Sequence, residues 1–315
     1  SRVAFPSGGG SEVAAAPGRD AATATFRLDS GSQRLQVVSP PAGRWYLALG
    51  GVANGLDALH QVPVTAELTT ATPAPVVRPG GYFNPARSGH GLFLYPAGND
   101  WAGLWYTYTQ DGAPVWYYLQ GAKPGANGIW TAPIFRSGWN GSRNHLTEVG
   151  RATITPTAAD AFQFTYVLDG ELGSEPFSSF GRGCPSIGGR VVDACGHWFD
   201  PARAGAGYSV QLLPNYEFHA VFAYSARGVP RFLVAERNGV GAANETLPLQ
   251  QLRGFCPLCV RTGNPERSNV GVLRREFVNG QLSRIGVEAS FANGTPGGWV
   301  VNDAVVPLGG LQGCA

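Results

Sequence analysis

The sequence predicts an all-β fold: a small N-terminal β-domain followed by two duplicated antiparallel β-meander units, each barrel-like or a sandwich. Glycine (45) and proline (24) are abundant among the 315 residues, whereas charged residues make up 14% and aromatic residues 11%. A chain with few helix formers, many turn formers and many aromatic residues is typical of sheets. The second observation behind this prediction is an internal duplication.

The duplication has a constant offset of 116 residues. FNPARSGHG at 83–91 recurs as FDPARAGAG at 199–207, and the same offset aligns 83–120 with 199–236 without a gap. The residues identical in both copies are Phe83, Pro85, Ala86, Arg87, Gly89, Gly91, Asn99, Tyr108, Gly112 and Pro114 with their partners. A repeat of this length indicates a folding unit of about 110–130 residues that occurs twice.

We divide the chain into an N-terminal β-domain (1–70), a stiff Pro/Thr linker (71–80), a first repeat (81–184) and a second repeat (185–315). Residues 7–24 are low in complexity, and we expect them to be flexible. Strand-like runs bounded by turn residues follow at 22–28, 33–39, 43–51 and 61–68.

Within each repeat, runs that alternate in period two are separated by turn signals, which predicts consecutive hairpins. Asp111-Gly112, Asp169-Gly170 and Asn293-Gly294 are dipeptides that tolerate a positive φ in tight turns. About six to eight such strands per repeat would close into a small barrel or pack as a sandwich. Up-and-down barrels are favoured because every link is short.

Charge and hydropathy argue against nucleic-acid binding and against a membrane-spanning helix. The net charge is +2 and no cluster of Lys or Arg occurs, so nothing favours nucleic acid. The sequence has no uncharged apolar run of about 18 residues, so it predicts no transmembrane helix. The chain has no methionine, which suggests a processed or trimmed start, and its clustered cysteines with few lysines indicate export to an oxidising compartment.

The recurrent motif predicts a structured turn. Asn84 and Asp200 can accept backbone N–H bonds beside a proline, and Arg87 and Arg203 could pair with a carboxylate or cap carbonyl groups. The alternative is a site for a cation or for sugar hydroxyls around Asn84 and Asp200. The structural interpretation is favoured because the loop lacks a second carboxylate.

The pattern aromatic-Asn-Pro-x-x-Ser-Gly-x-Gly, followed by a Trp/Tyr strand and Asp-Gly-x-Pro-x-Trp-Tyr, resembles a repeat of uncharacterised exported proteobacterial proteins. The resemblance covers 82–118 and, more loosely, 198–233, where Arg227 replaces the turn Asp. PPAGRWYLALGG at 40–51 resembles part of a pre-peptidase C-terminal domain, without that domain's acidic positions, and the aromatic-Asn-Ser-Gly pattern also resembles the opening strand of avidin. These resemblances imply an accessory or surface role in the bacterial periplasm or outside the cell, beside a parent hydrolase.

The aromatic residues form two sets, because alternate residues of a strand face opposite sides of a sheet. Tyr106, Tyr108 and Trp116 align with aromatic residues of the second copy, so they are expected in a core. A second set lacks aromatic partners and is predicted to form a ligand-binding face or, alternatively, to pack on another part of the chain; its members are Trp101, Trp105, Tyr117, Trp130 and Trp139. Exposed rings of this kind can stack on sugars or peptide side chains.

The cysteines predict disulfides rather than a metal site. A bridge Cys256–Cys259 is favoured over a redox pair or half a zinc site, because neither a second close pair nor a thioredoxin-like context is present. Cys184–Cys195 is weakly favoured over Cys195–Cys314, and either leaves one thiol unpaired. The sequence predicts neither a metal nor a cofactor.

No catalytic signature occurs in the chain: it has no Gly-x-Ser-x-Gly elbow, no metal-binding histidine pair and no evident pair of acids. We therefore expect a non-catalytic, secreted or cell-surface module that recognises carbohydrate, peptide or cell-surface material. The alternatives are a structural or self-assembling subunit of a surface complex and, third, a hydrolase with a dispersed site near His90 or His145.

Overall fold

The computed structural model describes residues 75–311 and, before them, only three strands of an N-terminal sheet. The chain divides into two compact units, Ser1–Pro73 and Ala74–Ala315. Strands account for 62% of the structure and helices for 3%, and two antiparallel sheets are closed or nearly closed. The prediction of an all-β chain with barrel-like units is therefore confirmed. Among the described residues, no helix has the length and apolar character needed to cross a membrane.

In the first unit, β1 (Gly10–Ala16) lies between β2 (Ala24–Leu28) and β3 (Tyr46–Val52), antiparallel to both. The second and third strands overlap the predicted runs at 22–28 and 43–51. The expectation of flexibility over 7–24 is wrong for β1, because its backbone pairs on both sides and so satisfies its polar groups. The predicted strands at 33–39 and 61–68 lie outside the described residues.

The first repeat is a closed eight-stranded barrel. Its strands are β4 (Gly80–Phe83), β5 (Gly91–Ala97), β6 (Asp100–Tyr108), β7 (Pro114–Ala122), β8 (Trp130–Trp139), β9 (Asn144–Ala158), β10 (Ala161–Leu168) and β11 (Glu171–Ser179). Each strand pairs with its neighbour in the chain, and β11 returns to pair with β4. The topology is therefore the up-and-down barrel that the short links favoured.

The second repeat is a nearly closed barrel. Its strands are β14 (Gly196–Phe199), β15 (Gly207–Leu213), β16 (Tyr216–Tyr224), β17 (Pro230–Asn238), β18 (Asn244–Arg253), β19 (Glu266–Val278), β20 (Gln281–Ser290), β21 (Gly298–Ala304) and β22 (Val306–Pro307), preceded by a small hairpin of β12 (Ser186–Ile187) and β13 (Arg190–Val191). The order is again sequential from β14 to β21, and β22 closes back onto β14.

Two hairpins depend on residues with positive φ. Asp169 (φ 50°) and Gly170 (φ 87°) join β10 to β11, and Asn279 (φ 55°) and Gly280 (φ 82°) join β19 to β20. Two successive residues with positive φ match the right-handed twist of the flanking strands. The sequence prediction identified the first of these dipeptides and did not identify the second.

The barrels pack against each other as a pseudo-symmetric pair. The bounds of β4 to β7 coincide with those of β14 to β17 at an offset of 116 residues. Tyr106 packs on Phe232 with ring centroids 5.3 Å apart, and the reciprocal pair, Trp116 and Phe222, are 5.6 Å apart. Reciprocal contacts between equivalent positions define an isologous interface, as in a two-fold dimer.

This packing corrects the prediction for the aromatic residues. Four of the five predicted ligand-binding rings, Trp101, Trp105, Tyr117 and Trp130, are buried in the interior of the first barrel. The set expected to fill a barrel core, represented by Tyr106, lies instead at the interface between barrels. Strand parity separated the two faces correctly, but the inward face was assigned to the wrong set.

One predicted disulfide is confirmed and the other requires a correction. Cys256 and Cys259 form a disulfide as predicted, whereas the thiol of Cys195 is free and buried, so neither Cys184–Cys195 nor Cys195–Cys314 exists. Cys184 is disulfide-bonded. The Sγ atom of Cys195 lies 3.2 Å from the amide nitrogen of Leu212 inside the second barrel, and burial raises the pKa of this thiol to about 12. The thiol therefore stays protonated and unreactive.

Candidate binding cleft at the junction of the two barrels

The two sides of the pseudo-symmetric interface differ because two equivalent loops differ in length. In the second barrel, residues 254–265 join β18 to β19, whereas only residues 140–143 join β8 to β9 in the first barrel. The longer loop begins at Gly254 and the shorter one follows Trp139, the last residue of β8. These two residues make matching contacts: the amide of Gly254 donates to the carbonyl of Gly112, and the amide of Trp139 donates to that of Gly228. One side of the interface is therefore covered by more chain than the other.

The longer loop is anchored to the motif turn of the first barrel. Arg87 donates hydrogen bonds to the carbonyl oxygens of Pro257 (2.6 Å), Cys256 (2.7 Å) and Cys259 (3.3 Å). The disulfide between Cys256 and Cys259 holds these carbonyls together on one guanidinium. Arg261 extends the contact by donating to the carbonyl of Ala86. This side of the interface is thereby sealed.

The opposite side, beside the short loop, is an open cleft of about 550 Å³ that we call the Trp139–Trp299 cleft. Its lining residues are Trp139, Asn140, Gly141, Tyr224, Ser225, Ala226, Arg227, Gly228, Gly298 and Trp299. Trp139 and Trp299 are half-buried, and the buried ring of Tyr224 lies between them at centroid distances of 5.9 and 6.5 Å. The cleft thus has an aromatic floor with an indole on each side.

The Tyr224 ring at the centre of this floor is fixed in position. Its hydroxyl donates to the carbonyl of Gly205 at 2.6 Å and contacts the hydroxyl of Ser137 at 2.6 Å. The amide of Trp139 is held by Gly228, as described above. Because the floor is organised before any ligand arrives, a ligand would pay little ordering cost on binding.

A second, smaller cavity of about 180 Å³ is lined by equivalent residues of both repeats and shares Ser225 and Arg227 with the cleft; we call it the axial pocket. Its lining residues are Asp111, Ala113, Pro114, Ser225, Arg227, Val229, Arg231, Gln251, Arg253, Asn293, Gly294, Thr295 and Pro296. Asp111 and Arg227 occupy the same position of the two repeats. The pocket therefore combines the two equivalent turns with residues of the second barrel.

Positive charge predominates in the axial pocket, with three arginines against one carboxylate. Burial lowers the pKa of Arg231, partly offset by the charge of Asp111. A hydrogen bond from Thr109 lowers the pKa of Asp111, and the charge of Arg231 contributes in the same direction. Within the part of the chain that the structure describes, none of the three arginines forms an ion pair shorter than 4.0 Å.

Of the predicted site residues, only Trp139 reaches the cleft. Its neighbours Trp299, Tyr224 and Arg227 were missed because they belong to the second repeat, whereas the aromatic surplus pointed to the first. One signal was present in the sequence: Arg227 replaces the aspartate that stands at position 111 of the first repeat. A change of charge at a duplicated turn marks a place where the two copies differ in role.

The motif residues hold local structure in both copies. Asn84 Oδ1 accepts from the amide of Ala86 at 3.0 Å, and Asp200 Oδ1 accepts from that of Ala202 at 2.9 Å. Each contact opens a short 3₁₀ turn that begins with proline. Whereas Arg87 caps carbonyls, Arg203 pairs with the buried Asp303 at 3.2 Å. The two roles considered for this arginine therefore both occur, one in each barrel.

A buried polar group in the first barrel has the composition of a catalytic triad. His90 Nε2 lies 3.0 Å from Glu175 Oε2, and its Nδ1 lies 3.5 Å from the hydroxyl of Thr107. The Nδ2 of Asn84 also donates to Glu175 at 2.9 Å. Thr107 is fully buried and His90 is 3% exposed, so this group is closed to a substrate in the structure described.

The second barrel buries a charged network at Glu217, His219 and Arg275. Arg275 donates to both carboxylate oxygens of Glu217, at 2.6 and 3.0 Å, and His219 lies 2.7 Å from the same side chain. Burial raises the pKa of Glu217, but hydrogen bonds from His219 and Arg275 outweigh it and lower this pKa to about 2. The carboxylate is thus ionised and paired, which suits a structural role.

No family model, curated protein or solved structure matches this chain. Among the described residues, no group of three or more His, Cys, Asp or Glu side chains could hold a metal ion.

Proposed function

We propose that this chain is a non-catalytic binding module of an exported protein and that it binds carbohydrate in the Trp139–Trp299 cleft. The observation that carries the proposal is the pair of half-buried indoles on either side of the Tyr224 ring, open to solvent in a cleft of about 550 Å³. Apolar ring faces stack on the C–H faces of sugars, and each aromatic contact contributes about 1 kcal/mol beyond area burial.

The polar residues around the cleft support a sugar ligand. The side chains of Asn140, Ser225 and Arg227 line it, and all three residue types form hydrogen bonds with hydroxyl groups. A few polar groups around an apolar surface fix the orientation of a bound ligand and give specificity. The clustered cysteines and the resemblance to exported repeats support a location outside the cytoplasm.

Binding of an extended peptide is a second candidate, favoured by one specific observation. β21, which carries Trp299, pairs with β20 and with no other strand among those described. Its outer edge could therefore accept a peptide as an added strand, with a side chain of the peptide against Trp299. A peptide bound in this way would depend on backbone pairing more than on Trp139.

The test is a glycan array followed by calorimetric titration of the best ligand. We expect Trp139→Ala and Trp299→Ala each to weaken binding at least about fivefold, since each removes a stacking surface of about 1 kcal/mol or more. Val300→Ala is the matched control, because Val300 neighbours Trp299 on β21, is 76% exposed and does not line the cleft. Glycan binding that survives both tryptophan substitutions would refute this site.

A further inference from the structure

We propose that the axial pocket binds the negatively charged substituent of an acidic glycan, a carboxylate or a sulfate ester, while the sugar rings occupy the Trp139–Trp299 cleft. The inference rests on the proposed function and specifies the class of glycan. It goes beyond it because a stacking cleft alone does not distinguish neutral from acidic sugars. Four observations on the pocket support it.

The pocket and the cleft are contiguous. Ser225 and Arg227 line both, so a ligand in the cleft can place a substituent in the pocket without leaving the aromatic floor. A cavity of about 150 Å³ can hold a benzene ring. The axial pocket, at about 180 Å³, therefore has room for a carboxylate or sulfate group with part of its ring.

The charge of the pocket results from a difference between the two copies. Asp111 stands at the turn of the first repeat, and the equivalent residue of the second is Arg227. With aspartate in both turns the two copies would present like charges to each other across the axis. Arginine at position 227 instead gives the lining three cations and one anion, an excess that favours a negatively charged ligand.

Two of the guanidinium groups are held in place without being neutralised. Arg231 donates to the carbonyl oxygens of Pro230 (2.8 Å) and Pro114 (3.3 Å), and Arg253 donates to that of Asp111 (2.9 Å). Backbone carbonyls orient a guanidinium but leave its formal charge uncompensated. Oriented donors that keep their charge form the strongest class of hydrogen bond with an anion.

Some guanidinium donors in the pocket also have no hydrogen-bond partner. The Nε atom of Arg231 is buried and has no hydrogen-bond partner, and the exposed side chain of Arg227 forms neither a hydrogen bond nor an ion pair among the described residues. A partly buried guanidinium with an unpaired donor is costly. An anion in the pocket would reduce that cost at Arg231 through its charge, and it could accept hydrogen bonds directly from the exposed guanidinium of Arg227.

The experiment compares acidic oligosaccharides with neutral counterparts of the same skeleton. The probes are an oligogalacturonide and its methyl ester, and a sulfated dextran oligosaccharide and unmodified dextran, titrated into the whole chain at low and moderate salt. We expect one acidic probe to bind about tenfold more tightly than its neutral form, since a guanidinium forms stronger hydrogen bonds with an anionic oxygen than with a neutral one. The tighter pair distinguishes a carboxylate from a sulfate.

The variants separate this inference from the proposed function. Arg227→Gln and Arg227→Asp, the latter restoring the residue of the first repeat, should abolish the acidic preference, which is measured as the ratio of acidic to neutral affinity because Arg227 also lines the cleft. Arg151→Gln, an exposed arginine outside both cavities, should change neither affinity. Thermal melts confirm that each variant folds.

Three outcomes would overturn the inference. If acidic and neutral probes bind with equal affinity and Trp139→Ala abolishes the binding of both, the anionic subsite is refuted and the carbohydrate cleft is retained. An acidic preference that survives Arg227→Asp refutes the assigned pocket. Failure of every probe, together with a glycan array that shows no binding, refutes the proposed function and, with it, this inference.

Discussion

The hydroxyl of Tyr95 donates a 2.8 Å hydrogen bond to Oε1 of Gln211, the residue that occupies the same position of the other barrel. In a two-fold arrangement only residues on the axis can touch their own equivalents. Tyr95 and Gln211 therefore mark the axis that relates the two repeats. The same Gln211 oxygen accepts from the amide of Gly81 at 2.9 Å, so one side chain of the second barrel holds two groups of the first.

Replacing Tyr95 with phenylalanine should weaken this contact without opening a cavity. The lost hydroxyl leaves a buried side-chain oxygen with one donor fewer, and we expect the free energy of unfolding to fall by about 1 kcal/mol. Urea unfolding followed by tryptophan fluorescence would measure it. Tyr118→Phe is the control, because the Tyr118 hydroxyl contacts Gln120 within β7 of the first barrel and is half-buried. An equal loss in both variants would contradict the axial role of Tyr95.

Gly228→Ala should disrupt the cleft. Gly228 has φ of +73°, and a Cβ atom there would lie 1.8 Å from the carbonyl oxygen of Trp139, so the strand beside Trp139 must move. We expect a loss of more than about 1 kcal/mol in stability together with weaker glycan binding. Gly98→Ala is the control for the strain of alanine at a positive φ, because Gly98 has φ of +65° and nothing lies within 4 Å of the added atom. Similar losses in the two variants would count against the contact with Trp139.

His197 should make stability depend on pH. Burial lowers its pKa to about 4, only partly opposed by its hydrogen bond to the carbonyl of Ala102. Between the unfolded pKa near 6.5 and the folded value, the unfolded chain binds more protons. The contribution of His197 is therefore fully present above about pH 6.5 and is lost as the pH falls towards 4, by roughly 3 kcal/mol.

His197→Gln tests this expectation, since glutamine can keep the hydrogen bond to Ala102 and does not titrate. Urea unfolding at several pH values should show a shallower decline between pH 6.5 and 4 in this variant than in the natural chain. His145→Gln, at an exposed histidine, should retain the full decline. Parallel pH profiles for the natural chain and His197→Gln would show that His197 is not responsible.

Replacing both Cys256 and Cys259 with serine should release the loop that covers one side of the interface. Closing so short a loop contributes about 2 kcal/mol in the chain-entropy model. The bridge also gathers the three carbonyls that accept from Arg87, so the loss should be smaller when Arg87→Ala is already present. A double-mutant cycle by urea unfolding measures this coupling. Strict additivity would mean that Arg87 does not depend on the bridge.

The sequence predicted the strand content, the sequential barrel and the two faces of β6 and β7, because side-chain alternation and short links are local properties. It did not predict which face points inward. Tyr106 and Trp116 are aromatic in both copies because they contact each other's equivalents across the interface. Trp105, in contrast, is free to differ from Val221, since each fills its own barrel.

The cleft could not be predicted from either repeat alone, because residues of both repeats form it. Trp139 and Trp299 lie 160 positions apart and meet only because the barrels dock with a particular geometry. The predicted pairing of Cys195 failed for a similar reason, because proximity in the chain says little about which strands of a barrel adjoin, whereas the local bridge Cys256–Cys259 was predicted correctly. Residues at a docking surface depend on long-range contacts that no local pattern encodes.

The unequal loops at 140–143 and 254–265 have an evolutionary meaning. Two identical subunits in a dimer must present the same surface at both ends of their shared boundary, so any opening would occur twice or not at all. Joining both halves in one polypeptide lifts that restriction, since each half can mutate alone. Here one end has become a bridged closure and the other a recess, a division of labour that only a fused pair can inherit.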